Sequence, residues 1–223
     1  GQTLKENLVN VKVRNRQIIR PLDQPIQPDG GLRIVRGSLA PDGAVIKTAA
    51  ASPELLRHTG PAVVLRSRRQ EDIDRDLAHV TKDHVIINRY MGPVGAPGMP
   101  EVGPAGLPVH LLRQGVRDMV RITDARMSGT SYGTIVLHVA PEAAIGGPLA
   151  LVEDGDMVEL DAHAGKLNLL VDERELARRR AAWQAPPPKY TSGYRALWID
   201  QVLQAPDGCD FKFNADRNWL KKR

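Results

Sequence analysis

The sequence predicts a mixed α/β protein rich in strand, and three observations carry that expectation. The chain has 223 residues, 42% of them hydrophobic, which allows one full core with appendages or two small domains at most. Aromatic residues make up only 4%, so Val, Ile, Leu and Ala must supply the buried surface, and such residues favour strands backed by a few helices. Apolar runs of strand length also alternate with polar helical patterns and Gly/Pro turns along most of the chain.

Thr3 and Glu6 have the spacing of a capping box for a short helix carrying Leu4 and Leu8. RPLDQPIQPDGG (20–31) then reads as a connector, because three prolines and a Gly pair continue neither a helix nor a central strand. Residues 1–30 are therefore set apart, and the compact domain begins near Gly31. LRIVRG (32–37) reads as a strand, APDGA (40–44) as a turn and AVIKTAA (44–50) as the next strand. Ser52 followed by Pro53 opens a helix in the preferred order. PAVVLR (61–66) is a buried strand, QEDIDRDLAHV (70–80) an amphipathic helix and HVIINRY (84–90) a strand, and the alternation runs on through HLLRQG (110–115) and DMVRITD (118–124).

Farther along, TIVLHVA (134–140), PLALVEDGDMVELD (148–161) and KLNLLVD (166–172) read as strands of an antiparallel meander. Asp172 and Glu175 cap the helix ERELARRRAAW (173–183), with Leu176 and Trp183 on one side and ARRR (177–180) as its exposed face. APPPK (185–189) stops it. The main domain thus spans 31–189, and the tail 190–223, with Trp198, Val202, Phe211 and Phe213, docks either on this domain or on something absent from the chain.

The net charge is +5, yet basic and acidic residues are interspersed in RSRRQEDIDRD (66–76) and DERELARRR (172–180), the pattern of a solvated surface. With two Phe, four Tyr and three Trp, stacking aromatics are scarce, and nucleic acid is not the expected partner. The single cysteine, Cys209, rules out an intrachain disulfide, and no signal-like or membrane-length apolar run is present; the expected address is the cytoplasm, without membrane contact. One thiol also cannot hold an iron-sulfur cluster or a structural zinc ion alone.

Two irregular stretches stand out. MGPVGAPGMPEVGPAGLP (91–108) holds five Gly and five Pro, a long loop whose backbone can approach a ligand closely. RITDARMSGTSYGT (121–134) packs Ser128, Thr130, Ser131, Tyr132 and Thr134 with two glycines into its last seven residues. Gly129 to Gly133 also spell G-x-S-x-G, a hydrolase nucleophile elbow centred on Ser131, but the elbow needs a helix behind the serine and TIVLHVA is β-branched and alternating. Hydroxyl-rich loops also hold anions, although a P-loop lysine is missing here. His138 alternates into an apolar strand and is expected to be a satisfied core histidine; the other five histidines show no metal-ligand spacing.

Taken together, RGSLAPDGAVIK (36–47), GPVGAPGMPE (92–101), ITDARMSGTSYGT (122–134), HVAPEAAIGGPLALVEDGD (138–156) and ELARRRAAW (175–183) closely resemble, in order and spacing, the C-terminal half of the dihydroxy-acid and phosphogluconate dehydratase family. The resemblance reaches to about Ala205, and SGTSYGT with GPVGAPGMPE looks most like the sugar-acid branch, the aldonate dehydratases. It implies a swivelling β-barrel-like domain with peripheral helices that closes over cofactors carried by the enzyme's own N-terminal domain, in a homo-oligomer, dimer or tetramer. The implied reaction removes water from a 2,3-dihydroxy acid to give a 2-keto-3-deoxy acid.

Carried over residue by residue, the resemblance makes Ser128 the base, Thr130 its partner in catalysis, Ser128, Gly129 and Thr130 the substrate-binding loop, and Glu101 of PGMPE a Mg2+ ligand. The 2Fe-2S cluster and the remaining metal ligands belong to the family's N-terminal half, which nothing here matches, so the chain is expected to be inactive by itself. Met91 stands where the branched-chain biosynthetic enzymes have Glu, VVLRSRRQ departs from the family's acidic continuation, and the ending FKFNADRNWLKKR is divergent. The rival readings are a non-catalytic module of the same fold that binds a sugar acid or a partner, and a serine hydrolase built on Ser131.

Overall fold

The computed structural model describes residues 1–67, 69–101, 106–129 and 131–215. Two compact units divide it, Gly1–Gly31 and Leu32–Arg223. In the first, α1 (Leu4–Asn7) carries the expected box: Glu6 N–H donates to Thr3 Oγ1 at 3.3 Å and Thr3 N–H to Glu6 Oε2 at 2.7 Å. Its apolar side chains Leu4, Ile18 and Leu22 stay exposed.

The second unit is a nearly closed eight-stranded barrel built from β1 (Arg33–Val35), β2 (Gly43–Ile46), β3 (Arg57–Val64), β4 (Val85–Asn88), β5 (Arg121–Thr123), β6 (Ile135–Ala140), β7 (Met157–Asp161) and β8 (Lys166–Leu169). Their spatial order is β1-β2-β6-β5-β4-β3-β7-β8. The strands from β3 through β4 and β5 to β6 are parallel, and antiparallel pairs β2–β1 and β7–β8 flank them. Closure comes from Arg36, whose N–H donates to Gly165 O at 2.9 Å while its carbonyl accepts from Leu167 N–H at 2.8 Å. Joining the two ends of the sheet removes the unpaired edges that an open sheet would present.

Alternation along each strand fills two cores. Val64 of β3 and Ile87 of β4 point inward with Val35, Ile46, Ile122, Val136, Leu160 and Leu167, all essentially inaccessible to solvent. Their neighbours Val63 and Ile86 point outward, where Leu77 behind α2 (Gln70–Asp76), Leu111 of α3 (Val109–Arg113) and Met119 cover them. The near-continuous apolar runs of the parallel strands reflect burial on both faces.

Several expectations change. TIVLHVA forms no meander with the strands after it: β6 lies between β2 and β5, and of these three segments only the last two pair as a hairpin, β7 with β8. The reason is that Pro148–Leu151 forms a 3-10 turn instead of strand, so the chain leaves β6 and crosses the barrel before β7. Ser52 opens only a 3-10 turn, Pro53–Leu55, with no bond from its hydroxyl to the turn. Asp172 does cap α4 (Glu173–Ala182) by accepting from Arg174 N–H at 2.8 Å, but Glu175 bonds Arg178 and Arg179.

The ARRR run is not wholly a solvated face either. Arg179 is 11% exposed and donates to Leu151 O at 3.0 Å, with its guanidinium on Asp156, itself 10% exposed. With Leu176 and Trp183 packed on the core, this ion pair pins α4 to the barrel. The tail also docks on this unit: in α5 (Gly193–Gln201), Trp198 Nε1–H donates to Pro93 O at 2.8 Å, and its ring meets Phe211 edge-on at 5.2 Å.

Removing Arg179 strands a desolvated carboxylate. Arg179→Ala should lower unfolding free energy by about 3 kcal/mol in urea titration, whereas exposed Arg174→Ala should stay within about 0.5 kcal/mol.

Candidate active site

Because β5 and β6 are parallel neighbours, the loop 124–134 must carry the chain from the C-terminal end of one strand back to the N-terminal start of the other. Its first residues therefore lie at one end of the sheet and its last at the opposite end. At the start, Asp124 is 1% exposed and its carboxylate accepts backbone N–H groups from Tyr90 (3.2 Å), Met91 (2.9 Å) and Ala143 (3.0 Å). At the finish, Asp118 accepts from Thr134 Oγ1 at 2.7 Å, Thr134 N–H at 2.9 Å and Ser52 N–H at 3.1 Å. Burial opposes the ionisation of Asp118, but the bonds from Thr134 and Ser52 outweigh it and hold the carboxyl below its usual range.

Glu142, also 1% exposed, plays the same part for the Gly/Pro loop. It accepts from Val94 N–H at 2.8 Å, Gly95 N–H at 2.9 Å and Gln204 Nε2 at 2.8 Å. A Cβ on Gly92 would sit 2.7 Å from Glu142 Oε2, and one on Gly95 would sit 2.7 Å from the Tyr90 backbone, so both positions need glycine. Tyr90 (φ 64) and Met99 (φ 44) bracket this loop in the left-handed region, a strained arrangement that the two carboxylates and Trp198 hold in place.

Arg126 joins the two loops. Its Nε–H donates to the Met99 carbonyl, and its Nη1 lies 3.5 Å from Glu101 Oε1. Ser128 comes two residues later, half-buried, with its carbonyl accepting from Ser131 N–H at 3.1 Å. Gly129 is exposed, and its carbonyl accepts from Lys47 Nζ, which reaches over from just past β2. Thr130 lies outside the described residues. The structure thus links the Glu101 and Ser128 loops through one guanidinium and sets a second cation on the peptide behind Ser128.

Glu101 is 52% exposed and offers an oxygen donor at the surface. Among the described residues no group of three His, Cys, Asp or Glu side chains comes together to hold a metal. A carboxylate oxygen exposed in this way is the hard donor type that Mg2+ takes. The strand β6 comes after Ser131 where a nucleophile elbow needs a helix, which removes the hydrolase reading.

His138 corrects another expectation. It is half-buried with φ 54, and its Nδ1 has no hydrogen-bond partner among the described residues; burial and then Arg126 lower its pKa. Sequence reasoning also passes over Arg126, Lys47, Asp124 and Glu142. All four lie inside the motif blocks, and the available signal is a charged side chain bordering a buried apolar run.

Asp124 generates a pH test. Burial raises its carboxyl to about 6, against the three backbone donors that lower it and with Glu142 adding to the rise. A pKa above its unfolded value means stability that is complete below about pH 4 and is lost as pH rises to about 6, on the order of 3 kcal/mol. Urea midpoints between pH 4 and 7 should show that slope in the native chain and not in Asp124→Asn.

The family model for the dihydroxy-acid/6-phosphogluconate dehydratase C-terminal domain matches residues 17–209. The chain is 51% identical to the L-arabonate dehydratase of Azospirillum brasilense and 50% identical to the 6-deoxy-6-sulfo-D-gluconate dehydratase of Pseudomonas putida, covering 96% of this chain and 38% of each relative. It is 40% identical to the dihydroxy-acid dehydratase of Ruminiclostridium cellulolyticum, covering 95% of this chain and 38% of that one. The chain therefore spans well under half the length of the curated relatives it matches. With this match running through the barrel and both loops, the chain belongs to the dihydroxy-acid/6-phosphogluconate dehydratase family, as its C-terminal domain.

Proposed function

We propose that this domain is the C-terminal half of a hydro-lyase that dehydrates a sugar acid to a 2-keto-3-deoxy acid, its site completed by the enzyme's own N-terminal domain within a homo-oligomer. The observation that supports it most is Arg126, which ties the Glu101 loop to the loop bearing Ser128. The Azospirillum and Pseudomonas relatives are sugar-acid dehydratases, which favours a sugar acid over a branched-chain substrate.

The Ser128 Oγ alkoxide takes the proton α to the substrate carboxylate, the C–H electron pair forms the C2–C3 double bond as the C3–O bond breaks, the departing hydroxide takes that proton from Ser128 and leaves as water, and the enol tautomerises to the 2-keto product. A neutral serine is a poor base, so its alkoxide needs positive charge nearby. Arg126 two residues before it, and Lys47 on the Gly129 carbonyl, supply that charge. Gly129 and Thr130 would bind substrate hydroxyls, with no Cβ at Gly129 to hold the ligand off. Mg2+ bound through Glu101, together with a 2Fe-2S cluster held by the N-terminal half, would supply Lewis acidity for the carboxylate and the departing hydroxyl.

In the full-length enzyme Ser128→Ala should lower kcat by about 10²–10⁴ while leaving the cluster's absorption spectrum unchanged, and Ser131→Ala should keep turnover. Retained turnover in Ser128→Ala would remove the serine as base. Glu101→Gln should raise the Mg2+ concentration for half-maximal activity about tenfold or more; an unchanged titration would remove that ligand.

A further inference from the structure

The segment VVLRSRRQ is not used by the dehydration chemistry, and in the fold its residues Leu65, Arg66, Ser67 and Arg69 border a cavity of about 480 Å³ at the C-terminal ends of the parallel strands β3 and β4. Leu65, Arg66 and Ser67 come directly after β3, Asn88 ends β4, Arg89 and Tyr90 come next, and Lys189 reaches the same space from beyond the three prolines 186–188. Ligands of parallel α/β sheets bind at this end of the strands, where the chain turns away and leaves a crevice. The lining is strongly basic: Arg66, Arg69, Arg89 and Lys189.

Three of those four cations have no carboxylate at ion-pair distance among the described residues. Arg66 is satisfied, with Nη1 3.4 Å from Asp76 Oδ1 and Nη2 on Asp154. Among the described residues no carboxylate lies within ion-pair distance of Arg69, Arg89 or Lys189. Arg89 is the telling one. It is half-buried, and its Nη1 is spent on the carbonyls of Leu149 (3.3 Å), Ala150 (2.7 Å) and Val152 (2.9 Å), which fixes the guanidinium in place. Its carbon lies 5.5 Å from the centre of the Tyr90 ring. Desolvation lowers its pKa, the mark of a charge held where water solvates it poorly. Asp154 and Asp124 act on this guanidinium from a distance, but none of the described carboxylates touches it, and two exposed cations with the polar Ser67 and Asn88 flank it in the crevice.

We propose that this crevice binds a small tetrahedral oxyanion, a phosphoryl or sulfonyl group, with Arg89 as the fixed guanidinium and Arg69 and Lys189 closing on it from solvent. Arginine suits this role because its planar fork matches such oxygens, and a cleft with low-dielectric walls concentrates the field of several like charges. The group can come from the far end of a sugar acid or from a separate phosphorylated ligand, and both present the same chemistry.

The test uses the 223-residue chain and inorganic phosphate, with sodium chloride at matched ionic strength as control, monitored through the backbone amide NMR shifts of Ser67, Asn88 and Tyr90. Saturable shifts of these residues are expected, with the midpoint raised about tenfold or more in the double variant Arg69→Ala/Lys189→Ala, whose exposed side chains leave the core intact. No saturable shift, or a midpoint unchanged in the double variant, overturns the proposal. A parallel titration separates the sources. If 6-phosphogluconate saturates at about a tenfold lower concentration than phosphate while gluconate leaves the shifts unmoved, the anion belongs to a sugar acid; equal midpoints for 6-phosphogluconate and phosphate make it a separate ligand. The readout needs no turnover, so its failure leaves the dehydratase reading standing, and failure of Ser128 as base leaves the crevice standing.

Discussion

The parallel pairing of β5 with β6 is the constraint from which the site arises. Antiparallel neighbours can be joined by a two-residue turn, whereas parallel neighbours force the connection to travel the length of the strands. Among the described residues no helix makes that journey; an irregular hydroxyl-rich loop does, and this is why its Arg126 meets Glu101 at one end, its Gly129 meets Lys47 midway and its Thr134 meets Asp118 at the other. A helix in its place would have satisfied its own backbone and offered side chains on one face only. A loop leaves backbone groups and glycines open to a ligand.

That choice raises a second problem, since loop N–H groups near a core need partners. Buried carboxylates supply them. Asp124 and Glu142 between them accept five backbone N–H groups from residues 90–95 and 143, and Asp118 does the same for Ser52 and Thr134. Each is a charge that would be costly alone and is tolerable because it is surrounded by donors. The C-terminal tail completes the arrangement, with Gln204 on Glu142 and Trp198 on Pro93. These contacts explain how a segment rich in glycine and proline can be held at φ values that Tyr90 and Met99 would otherwise avoid.

Much of this is legible along the chain. The strands β2, β3, β4 and β5, the helices α2 and α4 and the capping box at Thr3 announce themselves through local periodicity and local hydrogen-bonding chemistry, which depend on near neighbours. The β-branched run after Ser131 likewise argues for strand and against a nucleophile elbow. The motif blocks point to the family and to the loops of Ser128 and Glu101. What escapes is non-local: Arg179 reads as one of a solvated triplet, yet Asp156, distant in sequence, faces it, and His138 reads as a satisfied core residue, yet its left-handed backbone leaves Nδ1 unpartnered among the described residues.

The order of amino acids is enough to establish the class of fold and the family, and to single out the two loops of Ser128 and Glu101, because each is encoded in patterns a few residues long. Only the folded chain reveals that β6 is inserted between β2 and β5, that Arg126 couples the two loops, and that four basic residues from three segments line one crevice. Strand order and the pairing of charges depend on how closure of the barrel distributes burial, and no local stretch of sequence contains that information.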